Sequence, residues 1–135
     1  MKLSELSSYI YLLGNDVRLL HLYATGENFM EIHLLLEDIY SLCFDKYDAF
    51  AEMAIAHGET IPNPTDILLD ESIGWTPIFG SDFDVDFIKT NVIERGNKII
   101  TMGENLKGYE NFVMSEIDDF NSDLDSLVNY KFGRI

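Results

Sequence analysis

Apolar residues recur three and four positions apart in four long stretches of the chain, the period of helices that each bury one face. In the first stretch Leu6, Ile10, Leu13, Val17, Leu20 and Ala24 follow Ser4, whose hydroxyl suits an N-cap, and the pattern predicts a helix to about Tyr23. Gly14 inside it is a mild cost. Thr25-Gly26-Glu27-Asn28 then reads as a tight turn, with Gly26 ending one helix and Asn28 capping the next. The second stretch, Asn28 to Gly58, has no proline and no internal glycine. Ile32, Leu35, Leu36, Ile39, Leu42, Cys43, Phe50, Met53 and Ala54 give it a wide buried face, so it reads as one long helix. A turn this short makes the two helices antiparallel neighbours.

From Glu59 to Gly80 the period is lost, and all three prolines (Pro62, Pro64, Pro77) and the single tryptophan, Trp75, collect there. Asn63-Pro64-Thr65 ahead of Asp66-Ile67-Leu68-Leu69 predicts a cap and a short helix inside a long connection. Such a crossover lets a third helix run parallel to the second. Trp75 is expected to anchor the connection by packing. The third helix begins near Phe83, capped by Ser81 or Asp82, with Val85, Ile88, Val92, Ile99, Met102 and Leu106 on its apolar stripe. Gly96 and Gly103 either weaken it or permit a close approach, and Lys107-Gly108 ends it. The fourth helix spans about Glu110 to Tyr130, with Val113, Ile117, Phe120, Leu124, Leu127 and Val128 inward. Glu116, Asp118, Asp119, Asp123 and Asp125 fall largely on its other side, most simply as a solvated face. The expectation is one all-α domain over residues 1–135.

Composition narrows the function. With 24 acids against 9 lysines and arginines the formal charge is -15, which opposes binding to a phosphate backbone and suits the handling of cations. DNA binding is therefore not expected. Cys43 is the only cysteine, so no internal disulfide can form, and it reads as a small buried hydrophobe in a reducing compartment. The first residues, MKLSELSSY, lack a signal-peptide pattern, and no apolar run approaches a membrane span. A cytoplasmic protein is expected.

The long helix also carries polar residues that a plain core helix does not need. His33 and Glu37 are four apart, as are Asp48 and Glu52, so each pair shares a helix face. From Glu37 to Asp48 the helix turns roughly 1,100°, about 20° past three whole turns, which places both pairs on one stripe. Folding the first two helices about residue 27 brings His21 level with His33. Either histidine alone reads as a core or boundary residue. Two histidines and three acids at these phases read as metal ligands. His33 and Asp48 lie roughly 22 Å apart along the axis, so one chain cannot close both pairs on a single ion. A second copy, laid antiparallel about a two-fold axis between Leu42 and Cys43, brings His33 and Glu37 level with the copy's acids. His57, at the end of the helix, is given no site role.

These residues resemble a family, the small ferritin-like proteins called Dps or mini-ferritins. The matching pattern is His21, His33 twelve on, Glu37 four on, Asp48 eleven on and Glu52 four on, within LHLYATGENFMEIH and DAFAEMAIAHG. The resemblance covers the first two helices and the short helix near Asp66; the last two match only in length and pattern. It implies a ferritin-like four-helix bundle with one long crossover connection carrying a short helix. It further implies a dodecamer built from two-fold dimers, with iron sites whose His21 and His33 come from one chain and Asp48 and Glu52 from the other. By similarity such sites oxidise Fe(II) with hydrogen peroxide or oxygen and store ferric mineral in the shell. Glu37 stands where the family usually has aspartate, Leu22 where tryptophan is common, and the basic extension by which some relatives bind DNA is missing. The competing reading keeps the bundle and the oligomer but makes the protein a structural or interaction protein with a degenerate metal site.

Overall fold

The structure, a computed structural model, describes residues 1–68, 74–78 and 83–135. Among the described residues the chain is all-helical, with α1 at Leu3–Tyr23, α2 at Phe29–Ala56, α3 at Pro64–Leu68, α4 at Val85–Glu104 and α5 at Asn111–Asp125. A π-helical turn, Ser126–Lys131, and a 3-10 turn, Phe132–Arg134, continue α5 to the C-terminus. No helix among the described residues is long and apolar enough to cross a membrane.

One core holds these elements together. Every residue of the predicted α1 stripe is buried, from Leu6 to Ala24, and Ile32, Leu36, Ile39, Cys43, Phe50 and Ala54 of α2 face it. Ile88, Val92 and Ile99 of α4 and Val113, Ile117, Phe120, Leu124 and Val128 of α5 complete the cluster. Removing a filled aromatic from such a core costs roughly 3–5 kcal/mol, so Phe50, edge-on to Phe120 at 5.7 Å, is a main tie between α2 and α5. Glycine lets the backbones approach at two crossings. A Cβ on Gly14 would lie 2.8 Å from the Phe44 ring and 3.1 Å from Cys43 Cβ, and one on Gly96 would lie 2.9 Å from Val128. Both glycines serve close packing more than they weaken their helices.

Several expected helix ends are corrected. Ser4 does not cap α1: Lys2 holds that position, and Ser4 is buried with its N–H donating to Glu59 Oε1 at 2.9 Å. A carboxylate distant in sequence has replaced the local hydroxyl. Asn28 holds the N-cap position of α2 in the left-handed region, φ 61°, and its side chain accepts no capping hydrogen bond. Gly26, also at positive φ, lies beyond the true end of α1 at Tyr23, where extended Ala24 stops the helix. Phe83 lies outside α4, because Asp84 accepts from the Phe87 N–H at 2.8 Å and so starts the helix at Val85. The expected caps Ser81 and Asp82, and Leu69 at the end of α3, lie outside the described residues.

Polar anchors far apart in sequence fix the pieces to one another. Arg95 pairs with Asp16 at 2.8 Å, the Trp75 indole N–H donates to the same carboxylate at 3.1 Å, and the guanidinium covers the Trp75 ring at 5.3 Å. Trp75 thus anchors the crossover to α1 and α4 through packing and a hydrogen bond. Antiparallel pairing of α5 with α2 shows in His57 against Glu110 and Phe50 against Phe120. The same pairing with α4 shows in Asn129 against Asn97 and Asn121 against the Ile100 carbonyl. His57 itself donates from Nδ1 to the Met53 carbonyl at 2.8 Å, a helix-terminal role.

Candidate metal centre

The α1–α2 hairpin sets the site. Its turn places the last turn of α1 beside the second turn of α2, and the half-buried His21 and His33 meet there with Nε2 atoms 3.0 Å apart and ring centroids 3.9 Å apart. A straight hydrogen bond between two imidazoles would hold the centroids about 5 Å apart, since the bond prefers to lie along the ring plane. At 3.9 Å and 31° between planes, the two rings lie side by side with their Nε2 atoms next to each other. With metal–nitrogen bonds of roughly 2.0–2.1 Å, nitrogens 3.0 Å apart subtend about 95° at an ion. Both nitrogens are thus within reach of one ion.

Glu37 completes the group. It lies one turn past His33, and ligand atoms of His21, His33 and Glu37 all fall within 4.8 Å of one another. Among the described residues no other set of three such side chains gathers in this way. Two imidazoles and one carboxylate with open remaining positions form the donor set that suits ferrous iron in non-haem sites. The residues present therefore fit a first-row divalent ion.

The local electrostatics favour the ligand form. His21 is held below the usual histidine range, first by burial and then by repulsion from His33, against the opposing pull of Glu37 and the Arg18 backbone. A depressed value keeps its imidazole neutral with a lone pair available near pH 7. The Nδ1 atoms of both rings are buried, and neither closes a hydrogen bond of good geometry.

Asp48 and Glu52 do not join this group within one chain. Both are exposed on the same stripe of α2, and the rise of the helix holds Asp48 about 22 Å beyond His33. Sequence reasoning missed what lies between and around the acids. Met30, Leu34 and Ile55 are 59 %, 52 % and 60 % exposed on that stripe, opposite the buried face. Their signal was present in the sequence as large apolar residues off the core period. No protein-family model, curated protein or solved structure matches the chain. Function has then to be argued from the chemistry of the site.

Proposed function

We propose that the protein is a ferroxidase of the Dps-like mini-ferritin type. Fe(II) is its substrate, bound at sites shared between two copies of the chain and oxidised by hydrogen peroxide or oxygen, with ferric product stored in a shell of two-fold dimers, a dodecamer. The observation that carries this reading is the convergence of His21 and His33 Nε2 beside Glu37. The two imidazoles supply nitrogen ligands, Glu37 supplies a carboxylate oxygen, and the open side of α2 leaves room for the oxidant. Two Fe(II) ions and one peroxide give two Fe(III) and two hydroxides, so paired sites at one interface match the electron count.

Topology supports the ferritin-like part of the reading. Because α5 runs antiparallel to both α2 and α4, α4 runs parallel to α2, the arrangement that a long crossover creates. The stripe supports the dimer. A two-fold axis between Leu42 and Cys43 sets His33 opposite the copy's Glu52, Glu37 opposite its Asp48, and exposed Met30 opposite its exposed Ile55. The polar ligands meet, and so do the apolar residues that flank them. Cations between the facing acids would offset their repulsion, so dimerisation should tighten with divalent metal. The exposed Met30, Leu34 and Ile55 also favour a second reading, a structural or interaction protein whose dimer closes without metal.

One complementation experiment separates the two. His21→Ala/His33→Ala protein and Asp48→Ala/Glu52→Ala protein should each fail to give saturable ferric absorbance when loaded with Fe(II) anaerobically and then given peroxide. Refolded together at equal amounts, they should recover about a quarter of wild-type activity, since half of the dimers are mixed and each mixed dimer holds one intact site of two. Recovery of none, with mixed dimers present by light scattering and mass spectrometry, rejects the shared site. Full activity in either single variant rejects it as well.

A further inference from the structure

The C-terminal turns border a pocket that the metal centre does not use. The π-helical turn after α5 is pinned on its inner side: Val128 is buried against Gly96, Asn129 Nδ2 donates to Asn97 Oδ1 at 2.9 Å, and Phe132 is buried next to it in sequence. The Lys89 ammonium donates to the Ile135 carbonyl at 2.8 Å and holds the segment beyond. Turns of this kind are rare and recur at functional sites. On its outer side the same pinned segment presents Tyr130, 61 % exposed, with exposed Lys131 and Arg134. The Arg134 guanidinium lies 5.7 Å from the centre of the Tyr130 ring. These three side chains, with Glu31, Leu34 and Leu35 of α2, line a cavity of about 420 Å³, within the range of small-molecule sites.

Acids outnumber lysines and arginines 24 to 9, yet among the described residues no carboxylate forms an ion pair with Lys131 or Arg134. Arg95, by contrast, is closed on Asp16 at 2.8 Å, and Lys46 sits 3.9 Å from Glu116. Two cations lining one cavity repel each other, and an anion between them relieves that cost. The lining carries +2 from Lys131 and Arg134 and -1 from Glu31, a net +1 that suits one negative head and not a polyphosphate. Its remaining members, Leu34, Leu35 and the Tyr130 ring, offer apolar surface that gains by covering hydrocarbon. We propose that this pocket binds a free medium-chain carboxylate, its head between Lys131 and Arg134 and its tail on Leu34, Leu35 and Tyr130. A guanidinium takes a carboxylate through two parallel N–H donors, and an ammonium adds a compact charge beside it. The inference goes beyond the ferroxidase reading, since no residue of the pocket belongs to the group of His21, His33 and Glu37. Leu34 also belongs to the stripe that the proposed dimer covers, so a bound tail lies at the edge of that interface.

Isothermal titration of the full chain, free of iron, with sodium decanoate below its micelle concentration tests this. Decanoate should bind saturably, and each methylene gained from hexanoate to decanoate should tighten binding roughly two- to fourfold. Decanol, with the same tail and no charge, should bind about tenfold more weakly or worse. Lys131→Ala/Arg134→Ala should lose about tenfold or more in decanoate affinity, while Lys131→Arg keeps it. The His21→Ala/His33→Ala protein should bind decanoate as wild type does, so failure of the pocket and failure of the ferroxidase reading are separate results. Wild-type protein that binds no decanoate, or binds it no more tightly than hexanoate or decanol, overturns the proposal without recourse to any variant. Unchanged affinity in Lys131→Ala/Arg134→Ala overturns it as well. Co-sedimentation with phosphatidylglycerol vesicles, without binding of free decanoate, would make this face a membrane contact and reject the soluble ligand.

Discussion

At the N-terminal end of α1 the Leu3 N–H donates to Tyr109 Oη at 2.7 Å, the Ser4 N–H donates to Glu59 Oε1 at 2.9 Å, and the Tyr109 hydroxyl donates to Glu59 Oε2 at 2.6 Å. At its C-terminal end His21 meets His33 and Glu37, with ligand atoms of the three side chains within 4.8 Å of one another. The first cluster spends its polar groups on one another and on backbone amides that a helix start leaves orphaned. It can do nothing further without breaking the fold. The second holds lone pairs in reserve, which is the condition for taking a ligand. Both clusters are partly buried; what differs is whether the hydrogen-bonding set is closed.

The sharpest break of this contrast exchanges the damage. His21→Ala should lower ferrous affinity by more than about a hundredfold, beyond the range seen when only outer residues of a metal site are lost, and should leave the unfolding midpoint near wild type. Glu59→Ala should leave ferrous affinity within about twofold. Isothermal titration with Fe(II) under anaerobic conditions reads both. If the two variants weaken iron equally, the ends of α1 are not separate in function.

Stability gives the reverse and smaller effect. Glu59→Ala leaves the Ser4 amide and the Tyr109 hydroxyl without their shared acceptor, at about 1–3 kcal/mol, and Tyr109→Phe should cost about 1 kcal/mol. Urea unfolding of the iron-free protein checks this, with His21→Ala as the control that should stay within about 0.5 kcal/mol of wild type.

The same contrast explains what could be read from the sequence. His21 beside His33 follows from one turn and the helix repeat, because both residues lie within a few turns of the hairpin and local geometry carries them together. The α2 stripe is legible for the same reason. The Glu59–Tyr109 clasp joins residues 50 apart and reaches Leu3 across 106, and no periodic signal encodes such a meeting. Ser4 was the better local candidate for a cap, and tertiary packing buried it. Asp16, Arg95 and Trp75 are hidden in the same way, each an ordinary residue on its own segment until the crossover folds over α1. Whether a second copy covers Met30, Leu34 and Ile55 is a property of two chains, and one sequence states only the symmetry that would allow it.

Acid should separate the clusters by the smallest margin. Burial alone would raise the Glu59 carboxyl, but hydrogen bonds from Tyr109 and from Ser4 outweigh it and hold the group below its ordinary value of 4.5. A carboxyl lowered in the folded state binds fewer protons than in the unfolded chain. Its stabilisation is complete above the unfolded value and fades as pH falls from about 4.5 through the folded value. Asp16 works in the opposite sense, since burial raises it despite Arg95, and its contribution is greatest in acid. A bare acid titration would mix the two, but the difference between wild type and Glu59→Gln removes Asp16, which both proteins share. Measured by urea unfolding without iron, that difference should hold constant from pH 7 to about 5 and close below about 4. A gap that persists unchanged to pH 3 would mean that the clasp owes its strength to shape and not to the charge on Glu59, and its likeness to an ordinary neutral cap would then replace the contrast drawn here.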